Sequence, residues 1–165
     1  MDHSASPSHR LRAGVEPESL KDALHQALEE ARMVLPGVQA LFGFQLIAVF
    51  SQRFEIALSE PEQWLHLVAL LLVATAIALV MAPAAYHRQN AKLEVTQTQL
   101  DLTLRLVGLA MAPLALGLAV DIYLMARVIT HSVAAGLIAA GLVLALTIGL
   151  WLVLPRVWKH GPRRG

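Results

Sequence analysis

Residues 133–154 read VAAGLIAAGLVLALTIGLWLVL and contain no charged side chain. A helix needs about 20 mostly apolar residues to cross the hydrocarbon core of a bilayer, which is about 30 Å thick. The stretch therefore predicts a membrane-spanning helix. Three further stretches, residues 33–50, 64–86 and 105–126, are long and apolar enough to do the same. We predict an all-α integral membrane protein whose residues 33–154 form a four-helix bundle.

The composition of the whole chain supports this class. Hydrophobic residues make up 56% of the 165 residues and charged residues 15%, whereas about a quarter of the residues are charged in an average soluble domain. The high hydrophobicity also excludes a disordered chain. The chain has no cysteine, which excludes disulfides and thiolate chemistry. The formal net charge of +1 provides no basic field for nucleic acid, so no nucleic-acid partner is expected.

The lysines and arginines predict how the spans are oriented. Eleven of the thirteen lie in the N-terminal segment, between the second and third spans, or at the C-terminus. Positive residues accumulate on the cytoplasmic side of membrane proteins. We therefore expect a multi-pass protein of the inner (plasma) membrane with both termini in the cytoplasm. The two remaining cations, Arg53 and Arg127, are expected on the outer side.

The segments outside the spans are short. Residues 1–17 predict a disordered cytoplasmic tail, and residues 155–165 a basic cytoplasmic tail. Residues 18–32 predict an amphipathic helix, which either lies on the membrane surface or packs on a partner helix. Residues 87–104 lack proline and glycine, so the second and third spans are expected to extend as a helical hairpin. The apolar stripe of the amphipathic helix consists of Leu20, Ala23, Leu24, Ala27, Leu28 and Ala31.

Two blocks of sequence resemble a known family. LPGVQALFGFQ at residues 35–45, continued by FSQRF at 50–54, is similar to the start of an uncharacterised family of small four-span bacterial membrane proteins. APAAYHR at residues 82–88 resembles the second signature of that family. The resemblance implies the four-span architecture and no established catalytic residue, although some members carry a sodium:proton antiporter label. The matching residues are Pro36, Gly37, Gln39, Phe42, Phe44, Gln52, Arg53, Phe54, Pro83, Tyr86, His87 and Arg88.

Asp121 lies within the third predicted span. A carboxylate inside a membrane is costly and by default suggests function, so Asp121 is a candidate for handling H⁺ or Na⁺. The alternative is an interfacial aspartate that is hydrated or paired with a cation. Gln45 is expected at a similar depth on the first span and can donate to the carboxylate. Gln52 follows seven residues later, which predicts the same helical face. Both glutamines also suit ordinary hydrogen bonding between helices.

Small residues at four-residue spacing predict where helices approach each other closely. Gly117 lies one turn before Asp121 and is expected to turn that face toward a neighbouring helix. Two longer stripes fit contacts within one chain or a homo-oligomer. They consist of Ala74, Ala78 and Ala82 on the second span and Gly141, Ala145 and Gly149 on the fourth.

Other titratable residues were weighed for metal binding and proton relay. Glu62 and His66 have the i, i+4 spacing of two metal ligands on one helix face, with Glu60 and His131 nearby in the predicted topology. Acids at Glu60 and Glu62 equally suit a helix N-terminus, so no metal and no cofactor are predicted. His87, between Tyr86 and Arg88, fits a membrane-boundary anchor better than a proton relay.

The sequence leaves two classes of function open. One is translocation of protons or monovalent cations, as in an antiporter, centred on Asp121. The other is a non-catalytic membrane scaffold that binds partners through its helix faces. An enzyme is not expected, because the sequence contains no nucleophile–base or metal constellation.

Overall fold

The computed structural model describes residues 17–89 and 97–154, and within these ranges it contains helices and no strand. Four of the helices are long and one is short. The last helix ends in a π-helical turn at Gly149–Val153. The helices are α1 (Pro17–Val49), α2 (Gln52–Ala57), α3 (Glu60–Gln89), α4 (Gln97–Thr130) and α5 (Val133–Ile148).

The predicted all-α four-helix bundle is confirmed, and α1, α3, α4 and α5 form it. Each contains a segment long and apolar enough to cross a membrane, so the protein is a multi-pass membrane protein. These segments are Lys21–Val49, Glu60–Tyr86, Gln97–Thr130 and Val133–Trp151. The predicted N-terminal tail, residues 1–17, lies outside the described residues except for Pro17, which begins α1. The predicted C-terminal tail at residues 155–165 and residues 90–96 of the predicted hairpin also lie outside them.

Proline does not end these helices. The predicted amphipathic helix and first span form one continuous helix, α1, that passes through Pro36. In the same way α3 continues through Pro83 and α4 through Pro113. Helices in membranes tolerate proline because neighbouring groups satisfy the backbone carbonyls that it frees. Pro83 therefore does not stop α3, which continues to Gln89.

The buried faces of three helices repeat every seven residues. Among the α1 side chains that the structure describes, the buried ones are Leu24, Ala31, Val38 and Gln45. On α3 the buried positions alternate steps of four and three, as in a coiled-coil seam. The seam of α3 comprises Glu62, His66, Ala69, Val73, Ala76 and Pro83, and the matching stripe of α4 comprises Thr103, Ala110, Gly117 and Leu124.

The α3–α4 interface depends on Gly117. A Cβ added at this position would lie 2.9 Å from Val73 Cγ2 and 3.2 Å from the backbone oxygen of Ala69. The first distance is shorter than real Cβ contacts and the second is tighter than most, so a side chain here would force Val73 or the helices to shift, and glycine favours this close approach. Gly136 plays the same part between α5 and α4, where an added Cβ would lie 2.9 Å from Tyr123 Cδ2.

The two longer small-residue stripes are not the buried seams of this chain. On α3, Ala78 is exposed and Ala74 and Ala82 are only half-buried, because the seam runs instead through Ala69, Val73 and Ala76. On α5, an added Cβ at Gly141 or Gly149 would meet no described atom within 4 Å. Ala145 is also exposed. The stripes are therefore not the main helix contacts within this chain.

Candidate functional site

Asp121 and Gln45 meet between α4 and α1. Gln45 Nε2 donates a hydrogen bond of 2.6 Å to Asp121 Oδ2. Gln45 is 4% exposed, and the side chain of Asp121 is 17% exposed. Asp121 lies nine residues before the end of α4 at Thr130, or about 14 Å along the helix. The contact therefore lies inside the span, toward the end of the bundle where α1 ends and α3 begins. We call this end the loop end.

His66 on α3 completes a largely buried cluster of three polar residues. Its Nε2 lies 3.1 Å from the backbone oxygen of Gln45, and its Nδ1 lies 3.8 Å from Asp121 Oδ1. A carbonyl oxygen only accepts hydrogen bonds, so Nε2 must carry a proton and donate it. Nδ1 is then the ring atom that faces the carboxylate. The ring also packs edge-on against Phe54, with centroids 5.3 Å apart.

The amide oxygen of Gln45 is the unusual atom of this cluster. Gln45 Oε1 is buried and has no hydrogen-bond partner among the described residues. An unsatisfied buried acceptor is costly, and such atoms in native structures often mark functional positions. The cluster therefore contains an unused acceptor beside its acidic group.

A second polar group, Glu62 with Arg127 and Ser59, lies nearer the loop end. Glu62 is 8% exposed, and its Oε1 pairs with Arg127 Nε of α4. Its Oε2 accepts hydrogen bonds from the backbone nitrogen of Ser59 at 2.8 Å and from the Ser59 hydroxyl at 2.7 Å. This is the capping arrangement of a Ser-x-x-Glu sequence at a helix start. Glu62 therefore both caps the first turn of α3 and joins α3 to α4.

A cleft of about 340 Å³ opens beside the Asp121 cluster. Its walls come from α1, α2, α3 and α4 and are almost entirely apolar. Asp121, Gln45 and His66 supply polar groups to it, and Arg53 supplies a cation. The apolar wall residues include Phe44, Phe54, Leu124, Met125 and Val128.

Of the other predicted site residues, a few lie beside this cluster and most lie apart from it. Gln52 does not continue the face of Gln45, because α1 ends at Val49 and Gln52 begins the separate helix α2, where its side chain is exposed. Among the matching family residues, Phe44, Arg53 and Phe54 line the cleft and Pro83 lies in the α3 seam. Pro36, Gly37, Gln39, Tyr86 and Arg88 are exposed, Phe42 is half-buried, and the side chain of His87 lies outside the described residues.

The four residues weighed for metal binding do not converge. Glu62 pairs with Arg127 and Ser59, whereas His66 contacts Gln45 and Asp121. Glu60 is exposed at the first turn of α3. His131 is exposed at the end of α4 with a φ of 53°, a left-handed conformation that histidine tolerates better than most residues. Across the described residues, no group of three or more His, Asp or Glu side chains is placed to hold a metal.

The position of His66 beside Asp121 is not predicted by the spacing of His66 and Glu62, which lie four residues apart on the same helix. The available signal was the alternating four- and three-residue spacing of polar and small residues on α3: Glu62, His66, Ala69, Val73, Ala76 and Pro83. In a membrane helix the interior face is marked by small and polar residues, since large apolar side chains are equally stable in lipid.

Comparisons with known proteins place the chain in a family. A protein-family model described as a family of unknown function, DUF6328, matches residues 16–155. No curated protein and no solved structure matches the chain. Because the match covers most of the chain, including every helix that the structure describes, the protein belongs to the DUF6328 family.

Proposed function

We propose that this DUF6328 member translocates protons, and that Asp121 and His66 share the transported proton. The observation that carries the proposal is the contact of His66 Nε2 with the backbone oxygen of Gln45 at 3.1 Å. With Nε2 protonated, Nδ1 presents either a lone pair or a second proton to Asp121 Oδ1, 3.8 Å away. A lone pair facing a carboxylate is repulsive. One proton on either group removes that repulsion, so the pair is a binding site for one proton.

Gln45 suits both protonation states of Asp121. Its Nε2 donates to the ionised carboxylate, as in the observed 2.6 Å contact. Rotation of the amide by half a turn presents Oε1 instead, which accepts a hydrogen bond from a protonated carboxyl. Proton uptake and release therefore require a side-chain rotation rather than movement of a helix.

The donor atoms favour a proton over a sodium ion. Hard cations prefer several oxygen ligands. Within the described cluster the side-chain oxygens come from Asp121 and Gln45 alone, and the third group is the His66 ring. Imidazole is a good proton acceptor near neutral pH and a poor ligand for hard cations. Sodium is therefore the second cargo to test.

We place the protein in the inner (plasma) membrane with both termini in the cytoplasm, on the strength of its lysine and arginine distribution. The loop end then faces outward, and Asp121 lies in the outer third of the membrane. A homo-oligomer would supply the longer path that one small bundle lacks. The outward-facing glycines of α5, Gly141 and Gly149, leave room for a second copy to approach.

The test is proton flux in vesicles that contain the purified full chain. Asp121→Asn keeps the side-chain shape and removes its titration, so we expect proton flux to fall to the level of empty vesicles. Asp101→Asn is the matched control, because Asp101 is exposed on the same helix and its removal should leave flux unchanged. A parallel assay with a sodium gradient separates the two cargoes.

Two results would overturn the proposal. One is flux by the parent protein no greater than that of empty vesicles, and the other is unchanged flux in Asp121→Asn. Either result leaves the non-catalytic scaffold as the function to pursue. Circular dichroism and gel filtration of Asp121→Asn check that any loss of flux is not a loss of folding.

A further inference from the structure

We propose that the cleft beside Asp121 binds an amphiphilic amine in its protonated, ammonium form. The inference deepens the proposed function, on which it rests, by giving the proton site a ligand class. The volume of about 340 Å³ lies within the range of small-molecule sites, about 300–1,000 Å³. The cleft is therefore large enough for an organic ligand rather than an ion alone.

The chemistry of the cleft indicates the two ends of such a ligand. Its walls are almost entirely apolar and expose little polar surface, while Asp121 provides the anionic group. An apolar pocket with a few placed polar groups binds the apolar body of a ligand and orients its polar end. A carboxylate in low-polarity surroundings selects a positive end. A ligand with an apolar body and one cationic group matches both features.

The free lone pairs of Asp121 narrow the class to cations that donate hydrogen bonds. Gln45 Nε2 is bonded to Asp121 Oδ2, and Asp121 lines the cleft. A carboxylate has several lone-pair sites on its two oxygens, so Asp121 can accept a further hydrogen bond from a ligand. A protonated amine has an N–H group for this acceptor, whereas a quaternary ammonium has none. We therefore expect protonated amines to bind more tightly than quaternary analogues.

Two aromatic residues and the position of the cleft support this ligand. Phe44 and Phe54 both line the cleft, and aromatic faces attract ammonium groups. Phe44 is 71% exposed and Met125 60% exposed, and both lie within membrane-length segments. The mouth of the cleft therefore faces the bilayer, from which amphiphilic amines can enter.

Arg53 opposes cation binding, so its replacement should change the affinity in the opposite direction to replacement of Asp121. It lines the cleft and is exposed. Its charge repels an ammonium group, although exposure to solvent weakens that repulsion. Replacing Arg53 should therefore tighten amine binding, the opposite of the effect expected for Asp121.

The experiment measures binding of N,N-dimethyl-3-phenylpropylamine to the full chain in lipid nanodiscs by calorimetry, with empty nanodiscs subtracted. We expect saturable binding that is about tenfold weaker or more in Asp121→Asn and about twofold tighter in Arg53→Gln. The trimethylammonium analogue should bind several-fold more weakly, and 3-phenylpropionate should not bind. Met125→Trp fills the cleft without changing its charge and should abolish binding.

Each failure has a distinct meaning. Equal binding to the parent and Asp121→Asn, or binding of the carboxylate, overturns the inference. Unsaturable uptake identical to that of empty nanodiscs also overturns it, and leaves lipid as the occupant of the cleft. Proton flux without amine binding rejects the ligand but keeps the proton site, whereas amine binding without flux rejects proton transport and keeps the ligand.

Discussion

Helix α4 contacts α3 at Gly117 and α1 at Asp121, one turn apart, and the two contacts are made in opposite ways. At Gly117 the helices approach because a side chain is missing, so close that an added Cβ would lie 2.9 Å from Val73. At Asp121 the helices are joined by a hydrogen bond to Gln45 beside an open cleft. The first contact consists of close packing over many atoms, and the second consists of a hydrogen bond between a few polar atoms.

The difference shows which contact is free to change during function. Lipid solvates apolar side chains as well as protein does, so helices in membranes associate through close packing and polar bonds rather than hydrophobic burial. Close packing is lost over many atoms at once, whereas a hydrogen bond between helices contributes only about 0.6 kcal/mol. We therefore expect α3–α4 to form the rigid part of the bundle and α1 to carry the adjustable contact.

Replacing Gly117 tests the rigid contact and should have the largest effect. Gly117→Leu places a side chain against Val73 and the backbone of Ala69, and we expect it to lower the free energy of unfolding by about 3 kcal/mol. Gly108→Leu is the control on the same helix, since an added Cβ there meets no described atom within 4 Å. Unfolding in mixed micelles followed by circular dichroism measures both. Equal effects of the two variants would show that close approach at Gly117 is not what holds α3 to α4.

The ion pair of Glu62 and Arg127 tests the same interface at the loop end. Arg127→Met leaves Glu62 buried without its cation. We expect the free energy of unfolding to fall by about 2 kcal/mol. This is less than the 3–5 kcal/mol that breaking a fully buried pair costs, because Arg127 is partly exposed. Arg105→Met changes an exposed cation on the same helix and should cost little. Adding Glu62→Gln to Arg127→Met should recover part of the loss. No recovery in this double variant would mean that the unpaired charge is not the cause.

Gln45→Leu tests the adjustable contact and should have the smallest effect on stability. We expect the free energy of unfolding to fall by about 0.6 kcal/mol. Proton flux should be reduced but not abolished, because Asp121 and His66 remain. Gln39→Leu is the control, since Gln39 is exposed on the same helix. A loss of several kcal/mol would place Gln45 among the rigid contacts and contradict the contrast between the two contacts of α4.

The sequence predicted the bundle well and the site in part. Four long apolar stretches were sufficient for the fold class, and depth alone suggested Gln45 as the partner of Asp121, a contact that the structure contains. Sequence spacing was misleading at Gln52, because the helix break after Val49 lies between it and Gln45. Spacing alone left open whether the alanine stripe of α3 serves contacts within one chain or a homo-oligomer, because neighbouring helices determine which of several small-residue faces is buried.

The sequence by itself determined the four-span membrane architecture, because the length and hydrophobicity of a segment suffice to place it in a bilayer. What the tertiary structure decided is which polar residues meet. His66, Asp121 and Gln45 belong to three helices and are separated by at least 21 residues along the chain. Their convergence depends on the rotation of each helix about its axis. Between α3 and α4, packing at Gly117 and the Glu62–Arg127 pair favour one rotation. Hydrophobicity does not encode the rotation of any of the three helices, since lipid and protein interiors solvate apolar side chains about equally.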